Sequence, residues 1–167
     1  MATDIVDKEL KTLRNLRWER AFAEGAEAEV TQDTINRKAT IVIEHLIQAS
    51  DVAHTSKSCQ LSEFLFSLPS LPVQHWHIYR KWNERFFTEC YKAFQDGRAQ
   101  SDPSVGWYQG EIGFFDFYII PLARKLKECG VFGVSSDEYL NYAIHNRQEW
   151  KARGQEVVDE MVNNIKK

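Results

Sequence analysis

The sequence predicts an all-α domain, and three observations carry that reading. Apolar residues recur at three- and four-residue spacing through long runs, and residues that start and stop helices stand at the edges of those runs. No alternating Val, Ile and Thr stretch bounded by tight turns is long enough for a convincing strand. With 167 residues, 43% apolar and 27% charged, the chain has the size and balance of one ordinary globular domain, which excludes disordered, collagen-like and disulfide-scaffold proteins. No internal repeat is visible.

The first run, over about residues 4–24, places Val6, Leu10 and Leu13 at helical spacing, with Leu16 and Phe22 extending the apolar side and Lys8, Lys11 and Arg14 opposite. Thr31 to Asp33 then offer N-cap side chains to a second helix, in which Ile35, Ala39, Val42 and Leu46 share a face that Ile43 and Ile47 widen. A face that broad asks for burial between other helices, and the pattern fades at Asp51. Residues 56–73 are Ser-rich, carry Pro69 and Pro72, and hold no durable period, which makes them a functional loop or an insertion.

Residues 74–96 form a dense aromatic helix with Trp76, Tyr79, Trp82 and Phe86, and Gly97 is well placed as its stop. Asp102, Pro103, Ser104 and Gly106 make a turn. A further helical run over residues 107–129 ends in Arg124, Lys125 and Lys127, cations suited to the negative end of a helix, before Gly130. Pro121 removes a backbone donor inside that run and predicts a kink. Ser135 with Glu138 has the capping-box spacing, and Tyr139, Tyr142, Ala143, Asn146 and Trp150 then share one face of a final helix reaching the basic end at Lys166 and Lys167.

A net charge of −3 gives no sequence-wide attraction for phosphate backbones or anionic lipid, so nucleic acid is not an expected partner. Cys59, Cys90 and Cys129 are odd in number and widely spaced, which suits a reducing compartment. There is no signal peptide, and the longest apolar run is interrupted by Asp116 and Pro121, so no transmembrane segment is expected. The chain reads as cytoplasmic, or as the cytosolic part of a larger membrane-associated protein.

Chemistry-bearing residues are few. Aromatics make up 13% of the chain and crowd between Trp76 and Trp150, where they fill cores and can also clamp flat ligands. His54 follows Asp51 by three residues, a helical spacing compatible with metal ligation or with a local hydrogen bond. His75 and His77 diverge on a helix. Glu111 and Asp116 stand among apolar residues, where a carboxylate must be paired, meet a ligand, or point outward along a solvated stripe. The common glycine-rich, zinc-protease and nucleophile-elbow motifs are absent. These residues by themselves define a helical domain whose candidate site is an acidic and aromatic pocket.

Four blocks in one order add to this. Ala49-Ser50-Asp51-Val52-Ala53-His54, then Tyr79-Arg80-Lys81-Trp82-Asn83-Glu84-Arg85, then Glu111-Ile112-Gly113-Phe114-Phe115-Asp116 with Ile120-Pro121-Leu122, and finally Asn146-Arg147-Gln148-Glu149-Trp150 resemble consecutive blocks in the C-terminal part of class I cyclic-nucleotide phosphodiesterase catalytic domains. Their wording is nearest to versions from microalgae and protists. The opening Ala2-Thr3-Asp4 resembles the start of an earlier helix in that family, so the resemblance covers the chain except residues 56–73. It implies a C-terminal part of an HD-type multi-helix domain spanning residues 1–167, with an inserted loop at about 56–73.

The resemblance further implies a signal-transduction hydrolase that converts 3′,5′-cyclic AMP or cyclic GMP to the 5′-monophosphate. Two divalent metals, Zn²⁺ and Mg²⁺, would activate the attacking water and neutralise developing phosphoryl charge. Asp51 matches the last protein ligand of the tighter metal. Phe114 matches the aromatic that stacks on the purine, Phe86 the apolar residue on its opposite face, and His54 a polar residue near the base. Glu111 stands where the family carries Gln, whose amide can meet either purine edge, whereas an ionised carboxylate only accepts and would suit guanine; Gln109 is the alternative that could swing in. Residues 56–73 interrupt a region that is short in the family and read as a loop over the pocket or as retained intronic sequence. The family's metal-binding histidines and its proton-donating histidine match none of the five histidines here, so this polypeptide alone is expected to be inactive. It would leave the Val6/Leu10/Leu13 and Val42/Leu46 faces partly uncovered, open to association. The alternative is a non-catalytic helical nucleotide-binding or protein-docking module.

Overall fold

The computed structural model describes residues 8–22, 31–54, 76–130, 133 and 136–166. The described residues contain α-helices, a 3₁₀ turn and a π-helical stretch, and no strand. The loop expected at residues 56–73, the capping residue Ser135 and the N-terminal Val6 lie outside them. No described helix is long and apolar enough to cross a membrane. The fold divides into two compact units, Met1–Val52 and Ala53–Lys167, and each is described by itself.

The first unit holds helix α1, Lys8–Phe22, and most of helix α2, Gln32–His54. Thr31 starts α2 as the sequence predicts: its Oγ1 accepts from the Thr34 N–H at 3.3 Å. The two helices run antiparallel, since Trp18 meets His45 with ring centroids 4.7 Å apart while Lys38 reaches over the ring of Phe22. Trp18 also stacks on Phe22, and Arg17 pairs with Glu44 at 2.9 Å. His45 is buried and donates from Nδ1 to the Ile41 carbonyl at 2.8 Å.

The faces differ from those expected. On α1 the buried residue is Trp18, and Leu13 and Leu16 are exposed. On α2 the buried stripe is Ile41, His45, Gln48 and Ala49, whereas Ile35, Ile43 and Ile47 are exposed and Val42 and Leu46 half-buried. The stripe turns because Trp18, with its large flat area, docks on His45, and the faces follow that contact rather than the count of aliphatic residues.

The second unit is organised around helix α6, Ser136–Ile165, a 30-residue helix against which the others pack. These are α3, Trp76–Gln95; α4, Trp107–Phe114; and α5, Ile120–Glu128. The expected one-sided pattern on α6 holds: Tyr139, Ala143, Asn146 and Trp150 are buried, and Val157, Val158 and Met161 continue the stripe. Phe87 and Tyr91 of α3 and Leu122, Ala123 and Leu126 of α5 complete this core. Gly97 ends α3 with φ +71°, a conformation open to glycine, as Arg98 N–H returns to the Ala93 carbonyl at 2.8 Å. A 3₁₀ turn, Pro103–Val105, follows, capped by Asp102 Oδ1 accepting from the Ser104 N–H at 2.8 Å.

The helical run expected over residues 107–129 is broken differently from a simple kink. Between α4 and α5 the stretch Phe115–Ile119 is π-helical, and the Ile120 N–H reaches five residues back to the Phe115 carbonyl. Pro121 therefore falls in the first turn of α5, where its missing N–H costs no ladder bond. The π stretch also aims Asp116 at α6, where Arg147 donates to both of its oxygens at 2.9 and 2.8 Å.

Those hydrogen bonds from Arg147 hold the Asp116 carboxyl below its ordinary range, with burial acting weakly the other way. A depressed folded pKa adds stability that is present above the unfolded value, about pH 4, and is lost as pH falls through the folded value. The pair is about a third exposed on the Asp116 side, at 34%, so solvent screening keeps its worth below about 1 kcal/mol. Asp116→Asn is expected to lower stability by that small amount at pH 7 and to converge on wild type as pH falls through the folded value, as read from urea midpoints across pH.

Candidate functional site

Two helix faces build the site, both in the second unit. On α3, Tyr79, Asn83 and Phe86 are spaced four and three residues apart; on α4, Trp107, Glu111 and Phe114 have the same spacing. Residues so placed share one side of a helix. The sides face each other in antiparallel sense: Tyr79 meets Glu111, and Asn83 and Phe86 meet Trp107.

Glu111 is half-buried, and the Tyr79 hydroxyl donates a short hydrogen bond to its Oε2. Asn83 Nδ2 lies 3.3 Å from the Tyr79 hydroxyl oxygen, and Trp107 Nε1 donates to Asn83 Oδ1 at 3.0 Å. Burial pushes the Glu111 carboxyl above its usual range, while the hydrogen bonds from Tyr79 and Asn83 pull it back down. Tyr79 is held well above the ordinary tyrosine range by burial first and then by the charge of Glu111, so it stays a protonated donor. Its ring packs on Phe115 at 5.2 Å and edge-on against Trp150 at 6.0 Å.

The aromatic residues named from the sequence sit on this framework. Phe86 is 42% exposed and leans on Trp107 at 5.4 Å, and Phe114 is half-buried with its ring parallel to that of Tyr118 at 5.5 Å. Trp107 and Phe114 stand one turn to either side of Glu111 on α4, so the Phe86 ring on Trp107 and a carboxylate that accepts hydrogen bonds lie along the same helix pair. Gln109 is exposed. Neither Glu111 nor Asp116 lies on a bare solvated stripe, the first being bonded to Tyr79 and the second to Arg147.

Asp51 and His54 fall in the last turn of α2; their backbone is helical and their side chains lie outside the described residues. Among the described residues no group of three or more His, Cys, Asp or Glu side chains is placed to hold a metal ion. A zinc and magnesium pair needs several such ligands. The described residues thus do not fit a two-metal centre.

Tyr79 was singled out in the sequence as a helix aromatic, not as a partner of Glu111, and Asn83 and Trp107 were not singled out for the site. The matching four-and-three spacing on two consecutive helices is the signal that pairs them. Comparison with protein-family models, with curated proteins and with solved structures finds no match to this chain.

Proposed function

We propose that the chain carries the base-binding part of a class I, HD-type cyclic-nucleotide phosphodiesterase catalytic domain, whose reaction opens a 3′,5′-cyclic nucleotide to the 5′-monophosphate. One observation carries the reading beyond the four ordered blocks: Glu111, which matches the purine-reading position of those domains, accepts a hydrogen bond from Tyr79, with Trp107 and the Phe86 ring against it one turn before and Phe114 one turn after. Asp51 is the proposed metal ligand, with His54 near the base, and Zn²⁺ and Mg²⁺ are the metals such a reaction uses to activate water. The remaining ligands have to come from elsewhere than the described residues.

The test is isothermal titration of the purified chain with cyclic GMP and cyclic AMP. Saturable binding is expected, and Glu111→Gln is expected to shift the preference between the two by about tenfold, the scale of one hydrogen bond to a charged group. No saturable binding of either nucleotide would overturn the reading. Release of 5′-monophosphate with Zn²⁺ and Mg²⁺ present, abolished in Asp51→Ala, supports the enzyme; binding without turnover supports a non-catalytic nucleotide-binding module. A protein-docking role is a second reading, favoured by the exposed Leu13, Leu16, Ile35, Ile43 and Ile47 of the first unit. Concentration-dependent sedimentation without nucleotide binding supports that one.

A further inference from the structure

Three segments of the chain place an arginine three residues before a hydroxyl side chain: Arg37 before Thr40, Arg85 before Thr88, and Arg98 before Ser101. Arginine-directed protein kinases read that spacing, because an acidic pocket beside their catalytic site takes the guanidinium while the hydroxyl meets the γ-phosphate of ATP. The reach needs an extended segment: three residues of helix rise only about 4.5 Å, three extended ones about 10 Å.

The backbone decides among the three. Thr40 lies inside α2 and Thr88 inside α3, and each hydroxyl donates to the carbonyl four residues back, that of Asn36 and of Glu84, at 2.8 Å. Extending either one means melting turns of a helix. Ser101 is placed otherwise. Helix α3 ends at Gln95, Gly97 turns the chain, and residues 98–101 run without helix to Asp102, which caps the 3₁₀ turn. Only the Arg98 and Ala99 N–H groups tie this stretch to α3, both donating to the Ala93 carbonyl, at 2.8 and 3.0 Å. Arg98, Gln100 and Ser101 are exposed. Arg98 pairs with Asp96 at 2.8 Å, but the two side chains are 65% and 59% exposed, and a pair so hydrated is worth little and yields to a better acidic partner.

We propose that Ser101 is a phosphorylation site for an arginine-directed serine/threonine kinase, with Arg98 as its recognition residue. This inference does not rest on the nucleobase reading. Ser101 Oγ attacks the γ-phosphorus of ATP, and an O–P bond forms as the bond from that phosphorus to the β,γ-bridging oxygen breaks. ADP leaves, and the hydroxyl proton passes to the kinase's catalytic carboxylate. The phosphoserine adds a charge of about −1.5 to −2 at pH 7 to the connection between α3 and α4, the two helices that carry the candidate site.

The experiment incubates the folded full chain with Mg²⁺-ATP and, in parallel, two arginine-directed kinases, the cyclic-AMP-dependent kinase and a calmodulin-dependent kinase. Peptide fragmentation in the mass spectrometer then locates the phosphate. Phosphate on Ser101 is expected with at least one of them, and Ser101→Ala is expected to leave that peptide unmodified. Arg98→Gln is expected to lower the initial rate by about tenfold or more, the scale of losing one charge-assisted contact, and Arg98→Lys by less. Both positions are exposed, and circular dichroism confirms that the variants keep the helical fold. No phosphate on Ser101 with either kinase overturns the proposal. So does an unchanged rate in Arg98→Gln, and so does labelling of Thr40 or Thr88 as fast as Ser101, since the fold would then not be selecting the site.

Discussion

Trp150→Ala is expected to lower the unfolding free energy by about 3–5 kcal/mol, the range for removing a fully buried large aromatic. Its side chain is 0% exposed, which places the whole ring in the core of the second unit. The ring meets Tyr79 edge-on at 6.0 Å and Trp76 at 6.2 Å, and its Nε1 donates to the Tyr108 carbonyl at 3.1 Å. Alanine would leave a cavity and also lose that hydrogen bond, so transfer, cavity and hydrogen-bond losses act together. Trp150→Phe retains most of the packing and is expected to lose about half as much. Urea denaturation followed by far-ultraviolet circular dichroism measures both; a loss under about 1 kcal/mol for the alanine variant would contradict this placement. On the nucleobase reading proposed above, the same substitution is expected to weaken nucleotide binding, because Trp150 backs Tyr79 and Tyr79 holds Glu111.

Gly154→Ala is the second large effect, and its sign is opposite to that of an ordinary helical glycine. In an unobstructed helix the change gains about 1 kcal/mol. Here the Trp150 ring lies back over its own helix, so that a Cβ at residue 154 would stand 2.8 Å from Trp150 Cε2 and 2.9 Å from Cδ2. A fully buried indole held by neighbours on α3 has no easy retreat. Overpacking of this kind costs about 1–3 kcal/mol, and Gly154→Val is expected to cost more than alanine because it adds two further methyl groups in the same place. Thermal unfolding of the two variants checks both the sign and the order.

The helical class, the stop at Gly97, the cap at Asp102 and the buried stripe of α6 were legible because each depends on neighbours along the chain: a periodic spacing, a positive φ, a side-chain acceptor two residues from a free N–H. The faces of α1 and α2 were not. Counting aliphatic residues pointed to Leu13 and Val42, whereas one tryptophan and one histidine from different helices chose each other and turned both helices. The candidate site was half legible. Glu111, Phe86 and Phe114 could be named from the sequence, but the partner that gives Glu111 its character, Tyr79, lies 32 residues away on another helix, with Asn83 and Trp107 bonded behind it. A long-range hydrogen bond has no periodicity of its own, and the matching four-and-three spacing on the two helices marks the faces without saying that they meet.

The wide turn at Phe115–Ile119 works as a phase shifter. Upstream of it, Trp107 and Glu111 meet α3; downstream, Leu122, Ala123 and Leu126 are buried in the core beside α6. A continuous ladder of 3.6 residues per turn would carry one angular setting through both halves, and the extra residue resets it. Deleting a single residue there would swing one half by roughly 100° relative to the other, turning Glu111 away from Tyr79 or Leu122 and Leu126 out of the core. The segment's length is thus fixed by what it joins, and its residue types are constrained too, since Phe115 and Ile119 are buried and Asp116 holds Arg147.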